Sequence, residues 1–190
     1  MQLIDIDKPR YRKHLNIVII GFISSLLILS LLFGTVLISL FSTVADNPQL
    51  MQEAIDSVSE TVQVEQETNF KYNFLGVVLA LLANAAVLHS VKHSAFFKEI
   101  YYVWQIKQLQ NLIYRKLTKI KAAGKTGEEK ALIILTFYYQ SQLQVYQLDD
   151  NTITLSSIEK QLQEVNDIVA QKGFDVNAGQ FEKDLITSYS

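Results

Sequence analysis

The chain has no cysteine. Disulfides, thiolate nucleophiles and cysteine-based metal sites are therefore excluded, while the redox compartment stays open. A dominant charge is also missing: 17 Lys and Arg stand against 19 Asp and Glu, a formal net charge of -2. Residues 92–190 hold 12 basic and 11 acidic groups, without the basic excess of a nucleic-acid-binding domain, so nucleic acid is not an expected partner. No paired carboxylates stand in the apolar stretches, no Ser–His–Asp order is present, and no transporter-like repeat is found. Gly124-Lys125-Thr126 resembles the end of a phosphate-binding loop, but the motif needs a glycine where Lys119 stands and a preceding strand. The expectation is a non-enzymatic protein without a cofactor.

Charge is absent altogether from two stretches, Leu15 to Ala45 and Tyr72 to Val91. A helix needs about 20 apolar residues to cross a bilayer core. Of the 27 residues from Leu15 to Phe41, 19 are Leu, Ile, Val or Phe; at roughly -0.3 to -0.6 kcal/mol each they contribute about -6 to -11 kcal/mol to insertion. The second stretch has 10 such residues and Asn84 within it, which makes it the weaker span. Thr43-Val44-Ala45 is a passable signal-peptidase site, but the apolar run before it is far longer than a signal core of about 7 to 15 residues.

Lys and Arg placement sets the direction. Lys8, Arg10, Arg12 and Lys13 precede the first span; Lys92, Lys98 and Lys107 follow the second; between them stands Lys71 amid six acids from Asp46 to Glu67. Both termini are expected in the cytosol. Gly21, Ser25, Ser30 and Gly34 on the first span and Gly76, Ala80 and Asn84 on the second supply the small and polar residues that helix pairing in lipid requires. Depth matching puts Ser25 near Asn84, Ser30 near Ala80 and Gly34 near Gly76; the same face would also serve pairing between two copies.

Asn47-Pro48 starts a short amphipathic helix expected over 48–62. After the second span, periodicity predicts one helix from Ser94 to Ala123 ended by Gly124. A second should begin with the capping box Thr126 to Glu129 and run to Leu148, a third with the box Ser156 to Glu159 and end at Gly173. The middle helix is apolar on all sides, hence buried on several faces. The expected fold is all-α, a two-span transmembrane helical hairpin followed by a small cytosolic helical bundle. Its parts are a basic N-terminus (1–14), a first span (15–41), an external acidic loop (42–71), a second span (72–91), a helical domain (92–173) and a loose tail (174–190).

Two sets of side chains are candidates for binding. His14, His89 and His93 fall at one inner-interface depth, and three imidazoles there could hold a metal or haem; the plainer reading is histidines beside lipid headgroups. Tyr101, Tyr102 and Trp104 form an aromatic cluster suited to a partner. LIDIDKPRYRKHLN (3–16), NFKYNFLGVVLALL (69–82), YYVWQIKQ (101–108), IYRKLTKIKAA (113–123) and VYQLDDNTIT (145–154) resemble a bacterial family of small membrane proteins, domain-of-unknown-function family 3087. That resemblance implies the bacterial inner membrane and adds no catalytic residue. The expected function is a membrane-anchored adaptor or complex subunit with a protein partner or a second copy of itself. The alternative is a metal, haem or ligand sensor built on the histidines.

Overall fold

A computed structural model describes residues 2–41 and 61–189. Among them every regular element is helical. The amphipathic helix expected over 48–62 falls outside the described residues, apart from 61 and 62. The chain divides into two compact units, residues 15–94 and residues 1–14 with 95–190.

The first unit is built on α1 (Lys8–Phe41) and α2 (Thr61–Val91). Both are long and apolar enough to cross a membrane. Residues 61–71, expected in the acidic loop, are part of α2. The two helices run antiparallel: Ser25 meets Asn84, Gly34 meets Gly76, and Phe41 meets Tyr72, whose hydroxyl donates to the Phe41 carbonyl (3.1 Å). Glycine is required where they cross. A Cβ on Gly76 would lie 2.6 Å from the Gly34 nitrogen and 2.9 Å from its Cα, backbone atoms that cannot rotate away. Ala80 is fully buried at the same contact. Gly21 departs from expectation: nothing lies within 4 Å of where its Cβ would be, so it takes no part in the pairing.

The second unit is organised on α5 (Glu129–Leu148), with α3 (Lys98–Tyr114), α4 (Leu117–Thr126) and α6 (Leu155–Lys172) packed around it. Leu132, Ile134, Phe137 and Ser141 of α5 are completely buried, which accounts for a helix apolar on all sides. Pairings of Gln110 with Ser141 and of Gly124 with Leu135 show α3 and α4 running antiparallel to α5.

Four expectations are corrected here. The helix expected from Ser94 to Ala123 is two helices, parted at Arg115 and Lys116. Its buried positions Ile106, Ile113 and Ile120 repeat every seven residues, and a straight helix drifts by about 20° per heptad. The tighter turn closed by Lys116 N–H onto the Ile113 carbonyl (2.9 Å) advances the stripe and keeps it on α5. Gly124 does not end that helix. It is buried inside α4, where a Cβ would come 2.7 Å from Leu135 Cδ1; the stop is Gly127, at φ 83°. Neither capping box forms. Thr126 still belongs to the last turn of α4, and its hydroxyl donates to the Ala123 carbonyl, while α6 starts at Leu155, ahead of Ser156. Gly173 does close α6, at φ 67°, and both glycine ends make the paired backbone bonds of a Schellman motif.

The fourth correction concerns residues 174–189, expected as a loose tail. They form two 3-10 turns, Ala178–Gln180 and Lys183–Tyr189, which seal the domain. Phe181 is 1% exposed and stacks on Phe137 with centroids 4.0 Å apart. The Tyr189 hydroxyl donates to Glu128 (2.6 Å) and Lys116 donates to the Ile186 carbonyl (3.2 Å). Short 3-10 turns carry no 3.6-residue stripe, so periodicity could not reveal them. Phe181→Ala in the full chain is expected to lower the domain's unfolding free energy by about 3–5 kcal/mol, measured by urea titration in mild detergent with near-UV circular dichroism; a loose tail would show no change.

Candidate functional site

The N-terminal segment and the end of α5 are joined by a cluster of hydrogen bonds and ion pairs. Asp7 caps α1, its carboxylate accepting from the Arg10 N–H (3.1 Å). Ahead of it the chain is extended, and both backbone groups of Ile4 are held by side chains. Its N–H donates to the Tyr102 hydroxyl (3.0 Å) and its carbonyl accepts from the Gln144 amide (2.5 Å). The Tyr102 hydroxyl in turn donates to Gln144 Oε1 (3.3 Å), which closes a ring of three bonds. Ile6 and Tyr11 are buried beside it.

One helical turn on, Lys8 and Arg12 both pair with Asp150, Lys107 pairs with Asp149 (2.9 Å), and Arg10 approaches Glu99 at 3.8 Å. Lys8 and Arg12 are four apart, hence on one face of α1. Asp150 sits at φ 55°, a left-handed conformation that Asp tolerates better than most residues. Burial, then the nearby Asp149 carboxylate, pushes the Tyr11 phenol up to about 12. Burial also raises Tyr102, against the opposing effect of its bonds to Ile4 and Gln144.

Tyr102 is therefore not the outward-facing partner residue expected of it: it is 8% exposed and bonded within its own chain. The period of 3.6 turns it inward with Val103 and Ile106, while Tyr101 and Trp104 stack on one another (5.6 Å) with Trp104 half exposed. The histidines divide between the units. His14 stacks on Phe96 at 4.2 Å with Nδ1 buried and unbonded; His89 Nδ1 lies 3.3 Å from the Lys92 amine. Among the described residues no group of three or more His, Asp and Glu is arranged to hold a metal ion. Between α1 and α2, the Ser25 hydroxyl lies 2.6 Å from Asn84 Oδ1, and the Asn84 amide donates to the Ala80 carbonyl (2.9 Å). Ser30 instead turns its hydroxyl to the Leu27 carbonyl.

A cleft of about 180 Å³ between α4, α5 and α6 is lined by Lys121, Lys125, Leu135, Tyr139 and Glu164. The Lys121 amine donates to Gln161 and lies 5.7 Å from the centre of the Tyr139 ring. Burial, then Glu164, pushes Tyr139 up to about 12.

The model of a family described as proteins of unknown function, DUF3087, matches residues 1–186. The chain belongs to the DUF3087 family. No curated protein and no solved structure matches it. Within this DUF3087 chain, the two stretches LIDIDKPRYRKHLN and VYQLDDNTIT meet through Lys8, Arg12 and Asp150. The clasp escaped sequence reading because its partners lie 142 residues apart. Its available signal was a basic pair at helical spacing with an acidic pair elsewhere.

The two halves of the clasp should respond differently to salt. Tyr102→Phe leaves the Ile4 N–H without its acceptor and is expected to destabilise the domain by about 1–3 kcal/mol at any ionic strength. Asp150→Asn removes only partly exposed ion pairs, worth about 1 kcal/mol or less, and its effect should vanish near 1 M salt. Urea titrations of the full chain in mild detergent at low and high salt measure both.

Proposed function

We propose that this protein is an integral protein of the bacterial inner membrane, a helical hairpin with both termini cytosolic. It holds its helical domain at the cytosolic face as a non-enzymatic adaptor or complex subunit. The observation that carries the reading is the surface of α1 and α2. Ile20, Leu31, Leu40 and Phe70 are each 66–70% exposed, and only 6% of the apolar window of α1 and 17% of that of α2 is buried. The core helices of a water-soluble protein bury such faces. A bilayer covers them instead.

Direction is supported by the charges: Lys and Arg cluster before α1 and after α2 and nearly vanish between them. That both ends lie on one side is supported by residues 1–14 sharing a compact unit with residues 95–190. Removal of α1 as a signal peptide fits poorly with its backbone contact to α2 at Gly34 and Gly76.

α3, α4, α6 and the 3-10 turns cover the apolar faces of α5, so the adaptor reading rests on the clasped N-terminal segment together with exposed Trp104 and Tyr114 on an anchored domain.

A cysteine-free chain makes the topology test clean. In intact spheroplasts, Asp46→Cys should react with a membrane-impermeant maleimide, and Ser94→Cys and Ser188→Cys only after permeabilisation. The opposite pattern overturns the topology. Crosslinking pull-down from mild detergent that recovers neither a stoichiometric partner nor a second copy overturns the adaptor role.

A further inference from the structure

The N-terminal strap, residues 2–7, sits on the domain in the manner of a bound peptide. The chain is extended before Lys8. Tyr102 and Gln144 grip the N–H and the carbonyl of one residue, Ile4, and two positions on Ile6 is 9% exposed against the domain. Ile6 turns in while Asp5 and Asp7 stay exposed. The Ile4 side chain itself is 41% exposed. Its fixed contacts are therefore backbone contacts, which any residue other than proline could supply.

We propose that the surface presenting Tyr102 and Gln144 is a docking site for an extended segment of a partner protein in which apolar and acidic residues alternate. The chain's own strap, Leu3-Ile4-Asp5-Ile6-Asp7, masks it. The strap displays the chemistry the site accepts: main-chain donors and acceptors for the two polar side chains, one inward apolar residue, and acids left to solvent. Recognition of this kind takes its affinity from backbone bonds and its selectivity from alternate side chains. The strap is joined to α1 directly, so it competes at a local concentration in the millimolar range, and a partner binds only as the strap yields. Tyr102 is then a binding residue, hidden by the chain's own copy of the ligand. The inference rests on the adaptor reading and names where that adaptor would dock.

The probe is a fluorescein-labelled peptide of residues 2–8, Gln-Leu-Ile-Asp-Ile-Asp-Lys, titrated by anisotropy against the full chain in nanodiscs. A chain lacking residues 2–7 should bind it saturably, at least tenfold more tightly than the intact chain. A scrambled peptide and a Gln144→Ala version of the truncated chain should not bind. Ile4→Pro, which removes the N–H that Tyr102 accepts and keeps the strap's length, should unmask the site as the deletion does, with helical circular dichroism showing both variants folded. No binding to a folded, unmasked chain, or equal binding to masked and unmasked chains, overturns the proposal. So does crosslinking of the truncated chain to the strap of an intact chain in the same nanodisc, because the occupant is then a second copy. Peptide binding with no partner recovered from membranes would defeat the adaptor reading and leave the docking site standing.

Discussion

Along residues 17–41 and 70–87 large apolar side chains point away from the protein, and every other feature has to accommodate that. A Leu or Ile left in water forgoes about 1.5–3 kcal/mol of burial. A helix pair that leaves Leu31, Leu40, Phe70 and their neighbours open would soon exceed the 5–15 kcal/mol by which proteins are stable. The proposed bilayer removes that penalty and also removes the hydrophobic drive for helices to associate. Pairing must come from elsewhere. Gly34 and Gly76 let the backbones touch, and Asn84 satisfies its amide through Ser25 and Ala80, so a polar group that would be costly in lipid becomes a contact.

The proposed cytosolic domain solves the opposite problem, in water. It has one helix, α5, too apolar to face solvent, and short neighbours. Three helices cover part of it; the rest is covered by segments from the two ends of the chain, the strap beside Gln144 and Phe181 against Phe137. Both closures are thin. The strap is held by two hydrogen bonds at Ile4 and by buried Ile6, with exposed ion pairs from Lys8 and Arg12 just after it, whereas Phe181 is fully sealed, so the strap is the end that can yield.

How much of this the sequence disclosed depends on the length of the repeating pattern. The apolar lengths of α1 and α2 and the burial of α5 follow from runs and periods spanning many residues. Depth matching reaches Ser25 with Asn84 and Gly34 with Gly76 because both helices rise about 1.5 Å per residue. Single-residue features served less well, although Gly173 does stop α6. Gly124 serves close packing inside α4 rather than termination, Gly21 packs against nothing, and the two capping boxes lose to helix ends shifted by a residue or more. The strap and the 3-10 turns were invisible, since each is too short for a period and is fixed by contacts with residues remote in sequence. Tyr102, singled out with Tyr101 and Trp104 for its aromatic ring, matters through its hydroxyl.

The claim beneath all of this is that lipid solvates α1 and α2. Purifying the full chain without detergent and sedimenting it in the analytical ultracentrifuge tests that directly. The account predicts aggregates that disperse only on adding detergent or lipid. A monodisperse monomer in plain buffer would contradict it.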